Sequence, residues 1–183
     1  MRIGLYGGTF DPPHLGHLEV AKTALWSGEL DAVWFLPCWI HAFGKKPISF
    51  NNRVNMCQLM VKDIPKIHVC ADEGEIKSTS SVVILRYLQK KNPDISFRLV
   101  LGTDNYWTMN EWNDLLEVTT IACPLWVERP GESRIPCKSY PLHNLISSTE
   151  VRDRLAVGKD VNELLHTKVE EFIVQEGLYQ GEK

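Results

Sequence analysis

The sequence predicts an α/β protein: a doubly wound parallel sheet with helices on both faces and a short helical segment at the C-terminal end. Three observations predict it. Short apolar runs alternate with stretches of helical periodicity along the 183 residues, the pattern of parallel strands joined by crossover helices. The chain opens on a strand, a glycine turn and a helix start, a unit that places a ligand at the carboxyl end of a sheet. The composition, 44% apolar and 23% charged, is that of a soluble globular protein able to bury a core without staples.

Taken in order, residues 2–6 read as the first strand, 7–9 as a tight loop, and His14-Leu15-Gly16-His17 as the entry to a helix. Leu15, Leu18, Ala21 and Leu25 share one helical face, and Gly28 stops that helix. Residues 32–36 are a second buried strand, closed by Pro37. A loop rich in Trp, His, Gly and Lys follows, until Ser49 or Asn51 caps a helix carrying Val54, Cys57 and Val61. Residues 66–70 read as strand three. Acidic and polar residues then lead to a helix over about residues 80–91, ended before Pro93. Residues 97–101 are strand four and run into Gly102-Thr103-Asp104. Residues 119–127 read as a weaker strand that Pro124 moves toward the sheet edge. Residues 128–145, with three prolines, read as loop. Ser147 opens another helix, and residues 169–176 form a last amphipathic one stopped by Gly177. No repeat, low-complexity tract or linker divides the chain, so residues 1–183 read as one domain.

Several classes are excluded. The net charge of −3 argues against a duplex-nucleic-acid binder, which needs a strongly basic face. No apolar run reaches bilayer-spanning length, and the start enters a strand without a basic, apolar leader. The five cysteines are odd in number, scattered and never in a C-x-x-C pair, which fits reduced thiols in a cytoplasmic protein.

The chemistry concentrates at strand ends. Gly7 and Gly8 let a ligand approach the backbone and take positive φ, and the helix behind them aims free N–H groups at whatever fills the loop. His14 and His17 lie one turn apart, so both rings can face phosphate and take up charge as pyrophosphate leaves. The loop is neither G-x-x-x-x-G-K-[ST] nor G-x-G-x-x-G. Ser147 and Glu150 make a capping box, with Ser148 and Thr149 at the helix start and Arg152 one turn on, a second anion site. Asp104 at the end of strand four can accept ribose hydroxyls, and Gly102 leaves room for the sugar. His41, Lys45 and Lys46 supply cations after strand two. Each of these is individually as well explained by a capped helix, a strand-end turn or an exposed basic loop.

The full string GGTFDPPHLGH is far more specific, and it resembles the nucleotidyltransferase superfamily that carries an H-x-G-H motif. Within it, GGTFDP-x-H-x-GH looks most like the bacterial nicotinate-nucleotide adenylyltransferases. Residues 146–152, ISSTEVR, are similar to that family's I-S-S-T-x-x-R motif, and residues 127–131, VERPG, to its V-x-x-R-P-G. The run from Gly102 to Trp112 matches its G-x-D triplet and tryptophan spacing. The chain departs from the family at residues 41–45, His-Ala-Phe-Gly-Lys in place of adjacent His-Lys. It departs again at residues 79–85, where the Tyr and Asp of T-Y-T-x-D-T-L are missing.

The resemblance implies a Rossmann-like nucleotidyltransferase that joins ATP and nicotinate mononucleotide into the deamido-NAD dinucleotide and pyrophosphate, a step of NAD biosynthesis. The transfer is in line, without a covalent intermediate. It implies His14, His17, Lys45 and Arg152 as the charge-neutralising set. ATP contacts fall on Gly8, Thr9, Phe10, Gly102, Asp104, Ile146, Ser148 and Thr149. The acceptor meets Ser80, Ser81, Trp112 (stacked on its ring, with Trp107 in reserve) and Arg129. Mg²⁺ rides on the substrate phosphates, with no metal site of protein side chains. Nicotinamide mononucleotide or phosphopantetheine as acceptor, cytidylyl transfer, and a turnover-less nucleotide sensor stay open, as does a homo-oligomer.

Overall fold

The computed structural model describes residues 1–40, 46–131 and 134–180. Six parallel strands form one sheet: β1 (Arg2–Gly8), β2 (Ala32–Pro37), β3 (Ile67–Val69), β4 (Ser96–Gly102), β5 (Pro124–Glu128) and β6 (Ser139–Pro141), in the order β3-β2-β1-β4-β5-β6. The helices are α1 (Leu15–Trp26), α2 (Phe50–Val61), α3 (Glu73–Ile76), α4 (Ser81–Lys91), α5 (Asp104–Thr108), α6 (Leu115–Ile121), α7 (Ser148–Ala156) and α8 (Thr167–Gln175). Strand order grows one way from β1 to β3 and the other way from β4 to β6. The reversal falls between β1 and β4, where Leu5 pairs with Leu99. The crevice at the carboxyl ends of those two strands is where such sheets bind ligands.

Period-two alternation along β1 sends its residues to two separate layers. Ile3 and Leu5 are fully buried with Leu99 under α4 and α6, beside Leu85, Leu88 and Val118. Tyr6 joins Phe35, Val100 and Val127 under α1, α2 and α8, with Ala21, Met60, Val169 and Ile173. The helices are therefore amphipathic props on both faces, and each fully buried aliphatic or aromatic side chain contributes about 1.5–3 kcal/mol. The C-terminal α8 covers the sheet rather than trailing from it.

Three expectations are corrected. The strand expected over residues 119–127 divides into α6 and β5. Its Pro124 lies not at an edge but at the first residue of an interior strand, where a missing N–H is tolerated. The Pro124 carbonyl accepts from Arg98 Nη2 at 2.6 Å. The stretch 128–145 is not loop throughout, because β6 forms the sheet edge there. Its Tyr140 and Lys138 bond Glu29, which Arg98 also pins, and these partners, the Tyr140 hydroxyl first, lower the Glu29 carboxyl to about 2. Finally, Gly7 and Gly8 are the last residues of β1 and neither has positive φ. The left-handed turn of this loop falls on Phe10, at φ +52°.

Candidate active site

His14 caps α1, and its backbone N–H donates to Nδ1 of His17 at 3.1 Å. That bond fixes the tautomer of His17: with Nδ1 accepting, the proton sits on Nε2 and is free to be donated outward. The two rings stack at 3.7 Å between centroids, 28° from coplanar. Gly16 makes the stack possible, since a Cβ there would sit 3.0 Å from the His14 ring and 3.3 Å from Ile146. Burial first, then Arg129, holds His14 down to about 3. His17 also lies well below the usual histidine value, through burial, His14 and Arg129 in that order. Both imidazoles are accordingly neutral N–H donors at neutral pH rather than cations.

This sign has a consequence for folding. The unfolded histidines protonate near 6.5 and the folded ones do not. Their contribution is thus intact above pH 6.5 and is lost as pH falls below it, for His14 down to about 3, by up to about 1.4 kcal/mol per group for each pH unit. Nitrogen NMR of the imidazoles at pH 5.5 is expected to find both neutral, with His17 protonated only at Nε2. A protonated pair at that pH would contradict it.

The loop in front of the histidines is pinned from four directions. Arg53 of α2 is 1% exposed and donates to the carbonyls of Thr9 (2.7 Å), Ile48 (3.1 Å) and Trp39 (3.3 Å). Ser148 Oγ at the start of α7 donates to Pro12 O at 2.9 Å. Arg152 donates to Asp11 O at 2.7 Å and to Thr149 Oγ1 at 3.2 Å. Tyr179, past α8, donates to Asp11 Oδ1 at 2.7 Å. The Asp11–Pro12 peptide is cis. Sequence reasoning gave Arg53 no role and read Arg152, Ser148 and Thr149 as phosphate grips. In the folded chain Ser148 and Arg152 also tie α7 to the first loop, and Thr149 Oγ1 accepts from Arg152 within α7.

A cavity of about 380 Å³ opens at the switch point, lined in part by Gly8, Thr9, His17, Gly102, Asp104 and Trp112. A smaller one of about 110 Å³ adjoins it between His14, Gly16, His17 and the segment Ile146–Ser147. Tyr6, His17 and Arg129 line both, so the histidine pair stands at the junction. Of the remaining expected residues, Ser81 lines the larger cavity and Ser80 does not. Trp112 lines it, whereas Trp107 is 59% exposed against Tyr106. The Phe10 ring is in the core, stacked on Phe35 at 5.1 Å, so only its backbone faces the loop. Lys45 and His41 lie outside the described residues, and Lys46 is exposed. Tyr6, Thr79 and Glu73 line the cavity without having been expected there. Thr79 opens the 79–85 stretch compared above with the family motif; no local motif marks Tyr6 or Glu73, which only the folding of two distant segments onto one crevice brings together.

The arrangement compares closely with known proteins. A cytidylyltransferase-like family model matches residues 5–154. A probable nicotinate-nucleotide adenylyltransferase of Anaeromyxobacter sp. (strain K) is 37% identical, over 98% of this chain and 97% of the relative. One of Halalkalibacterium halodurans is 34% identical over 98% of this chain and 91% of its own length. The fold matches the nicotinic acid mononucleotide adenylyltransferase of Plasmodium falciparum solved in complex with NaAD. The TM-score is 0.83 at 22% identity, covering 97% of each chain. With the H-x-G-H pair, the I-S-S-T segment and the switch-point cavity in one place, the chain belongs to the cytidylyltransferase-like family, among the nicotinate-nucleotide adenylyltransferases.

Proposed function

We propose that this protein transfers the adenylyl group of MgATP to the phosphate of nicotinate mononucleotide, giving the dinucleotide and pyrophosphate. The observation that carries it is the stacked, neutral His14–His17 pair at the junction of the two cavities. An acceptor phosphate oxygen attacks the α-phosphorus. The bond from that phosphorus to the bridging oxygen breaks, and pyrophosphate leaves with the electron pair. The acceptor is already an anionic nucleophile, so no protein nucleophile is required, and catalysis is positioning plus charge neutralisation. His17 Nε2–H donates to the transferring phosphate, where negative charge is redistributed. Arg129, lining both cavities, supplies cationic charge beside it. Asp104 takes the ribose hydroxyls and Trp112 the acceptor ring. Ser148, Thr149 and Arg152 meet the ATP phosphates, and Ser148 and Arg152 also hold the loop and α7 together. Lys45 is proposed as a further cation there. Mg²⁺ enters with ATP on its phosphates and water.

Gly102→Ala tests the ribose position, because a Cβ there would lie 2.3 Å from Asp104 Oδ1. Displacing that carboxylate is expected to raise the KM for ATP about tenfold or more, equivalent to roughly 1.4 kcal/mol or more, with a smaller effect on kcat. An unchanged KM in initial-rate kinetics would remove Asp104 from the ribose. For the reaction as a whole, pyrophosphate release is measured with MgATP and each of nicotinate mononucleotide, nicotinamide mononucleotide and phosphopantetheine, and with MgCTP in place of MgATP. The highest kcat/KM is expected with MgATP and nicotinate mononucleotide. ATP binding without release for any acceptor would make the protein a nucleotide sensor instead.

A further inference from the structure

Resting on that reading of the reaction, we infer that Glu73 is the residue that selects the acceptor: one carboxyl oxygen is anchored to the Trp39 amide while the other meets the substituent on the acceptor's pyridine ring. Glu73 begins α3 and is 6% exposed, yet it lines the larger cavity. The same cavity is lined by Thr79, Ser81, Leu85 and Trp112, among them the residues proposed above to meet the acceptor. Its Oε2 accepts from the Trp39 backbone N–H at 2.8 Å, and Oε1 has no hydrogen-bond partner among the described residues. The anchor is itself rigid. Arg53 holds the Trp39 carbonyl at 3.3 Å, the Trp39 ring packs edge-on to Phe50 at 5.1 Å, and Lys77 Nζ lies over it at 5.6 Å. Gly74 brings α3 close, since a Cβ there would sit 2.6 Å from the Phe50 ring. Asp104, the other carboxyl on the cavity wall among the described residues, is the one proposed above for the ribose.

A carboxyl held this way discriminates by its proton. Burial raises Glu73 to about 7, against the smaller downward pull of the Trp39 amide and Arg53. Ionisable groups near it among the described residues include the thiols Cys38 and Cys70, both pushed up by burial and neutral at that pH, Lys77 across the Trp39 ring, and Asp72 and Glu75 on its own helix, Asp72 paired with Lys91. As a neutral acid, Glu73 donates Oε1–H to the carboxylate of a nicotinate ring. As a carboxylate it repels that group and accepts instead from the amide N–H of a nicotinamide ring. This is a purpose that Ser80 and Val83, in place of the family's Tyr and Asp, leave for another side chain to fill.

The ratio of kcat/KM for nicotinate mononucleotide to that for nicotinamide mononucleotide cancels the titration of the acceptor phosphate and of the shared machinery. Measured from pH 5.5 to 8.5, it is expected to fall throughout by about tenfold for each pH unit, through rising use of nicotinamide mononucleotide below about pH 7 and falling use of nicotinate mononucleotide above it. In Glu73→Gln, whose amide oxygen still accepts from Trp39, the ratio is expected to be flat with pH, with KM for ATP unchanged. A wild-type ratio that is flat across this range overturns the assignment even without a folded variant. A folded Glu73→Gln that keeps the wild-type profile overturns it too, as does a variant in which both acceptors lose equally, which would reduce Glu73 to an anchor for Trp39. In each case wild-type turnover leaves the adenylyl-transfer reading standing. Absence of turnover with either acceptor overturns both.

Discussion

Replacing His17 by alanine is expected to lower kcat by about two to four orders of magnitude while KM for ATP stays within about threefold. The asymmetry follows from what the side chain is. Nδ1 of His17 is occupied by the His14 N–H, so the ring offers one outward donor, Nε2–H, fixed by stacking on His14 at 3.7 Å and by edge contact with Phe10 at 4.9 Å. A preorganised donor of this kind strengthens as charge develops on the phosphate, and so acts chiefly in the transition state. A neutral imidazole adds little to ground-state binding of a polyanion. Equal losses in turnover and in ATP affinity would place His17 among ordinary binding groups. His17→Gln, which restores a neutral N–H donor without the ring stack, is expected to recover part of the loss.

Arg53→Ala is expected to destabilise the fold by about 3–5 kcal/mol and to abolish activity in whatever fraction remains folded. The guanidinium is 1% exposed and satisfies the carbonyls of Thr9, Trp39 and Ile48 at once, while stacking 5.6 Å over Phe50. Its removal leaves three half-buried acceptors without their donor, each costing up to about 1–3 kcal/mol where water cannot replace it. It also releases the loop that carries Thr9 and the segment that carries Trp39. Arg53→Lys is expected to rescue little, because one ammonium cannot span three carbonyls that a planar fork reaches. Urea unfolding reads the first effect and kcat/KM the second. A loss below about 1 kcal/mol would mean that the three carbonyls find other partners.

The contrast between His17 and Arg53 shows which parts of this protein are legible in its sequence. His14 and His17 announce themselves because their work is local, one helical turn with a glycine between the rings. The Ser147 cap is equally local, its Oγ accepting from the Glu150 N–H at 3.1 Å. Arg53 and Glu73 are illegible because their partners come from segments that meet only in the folded chain. Helix α6 hid for another reason. Thr119, Thr120 and Ile121 read as strand, and β-branched residues are weak helix formers. Burial of Val118 outweighs propensity there, and Thr119 and Thr120 bond back to the carbonyls of Leu115 and Leu116 at 2.9 and 2.7 Å. The same local reading misplaced Pro124, whose tolerance depends on being first in β5 rather than on lying at an edge.

The central claim is that one crevice, with the histidine pair at its midpoint, joins an adenylyl group to a pyridine mononucleotide. Its most direct test follows the α-phosphate. With ATP labelled at that phosphorus, Mg²⁺ and nicotinate mononucleotide, the label is expected in the dinucleotide, matched mole for mole by pyrophosphate, and lost in His17→Ala. Label appearing in AMP or ADP, or remaining in ATP while ATP demonstrably binds, would contradict it.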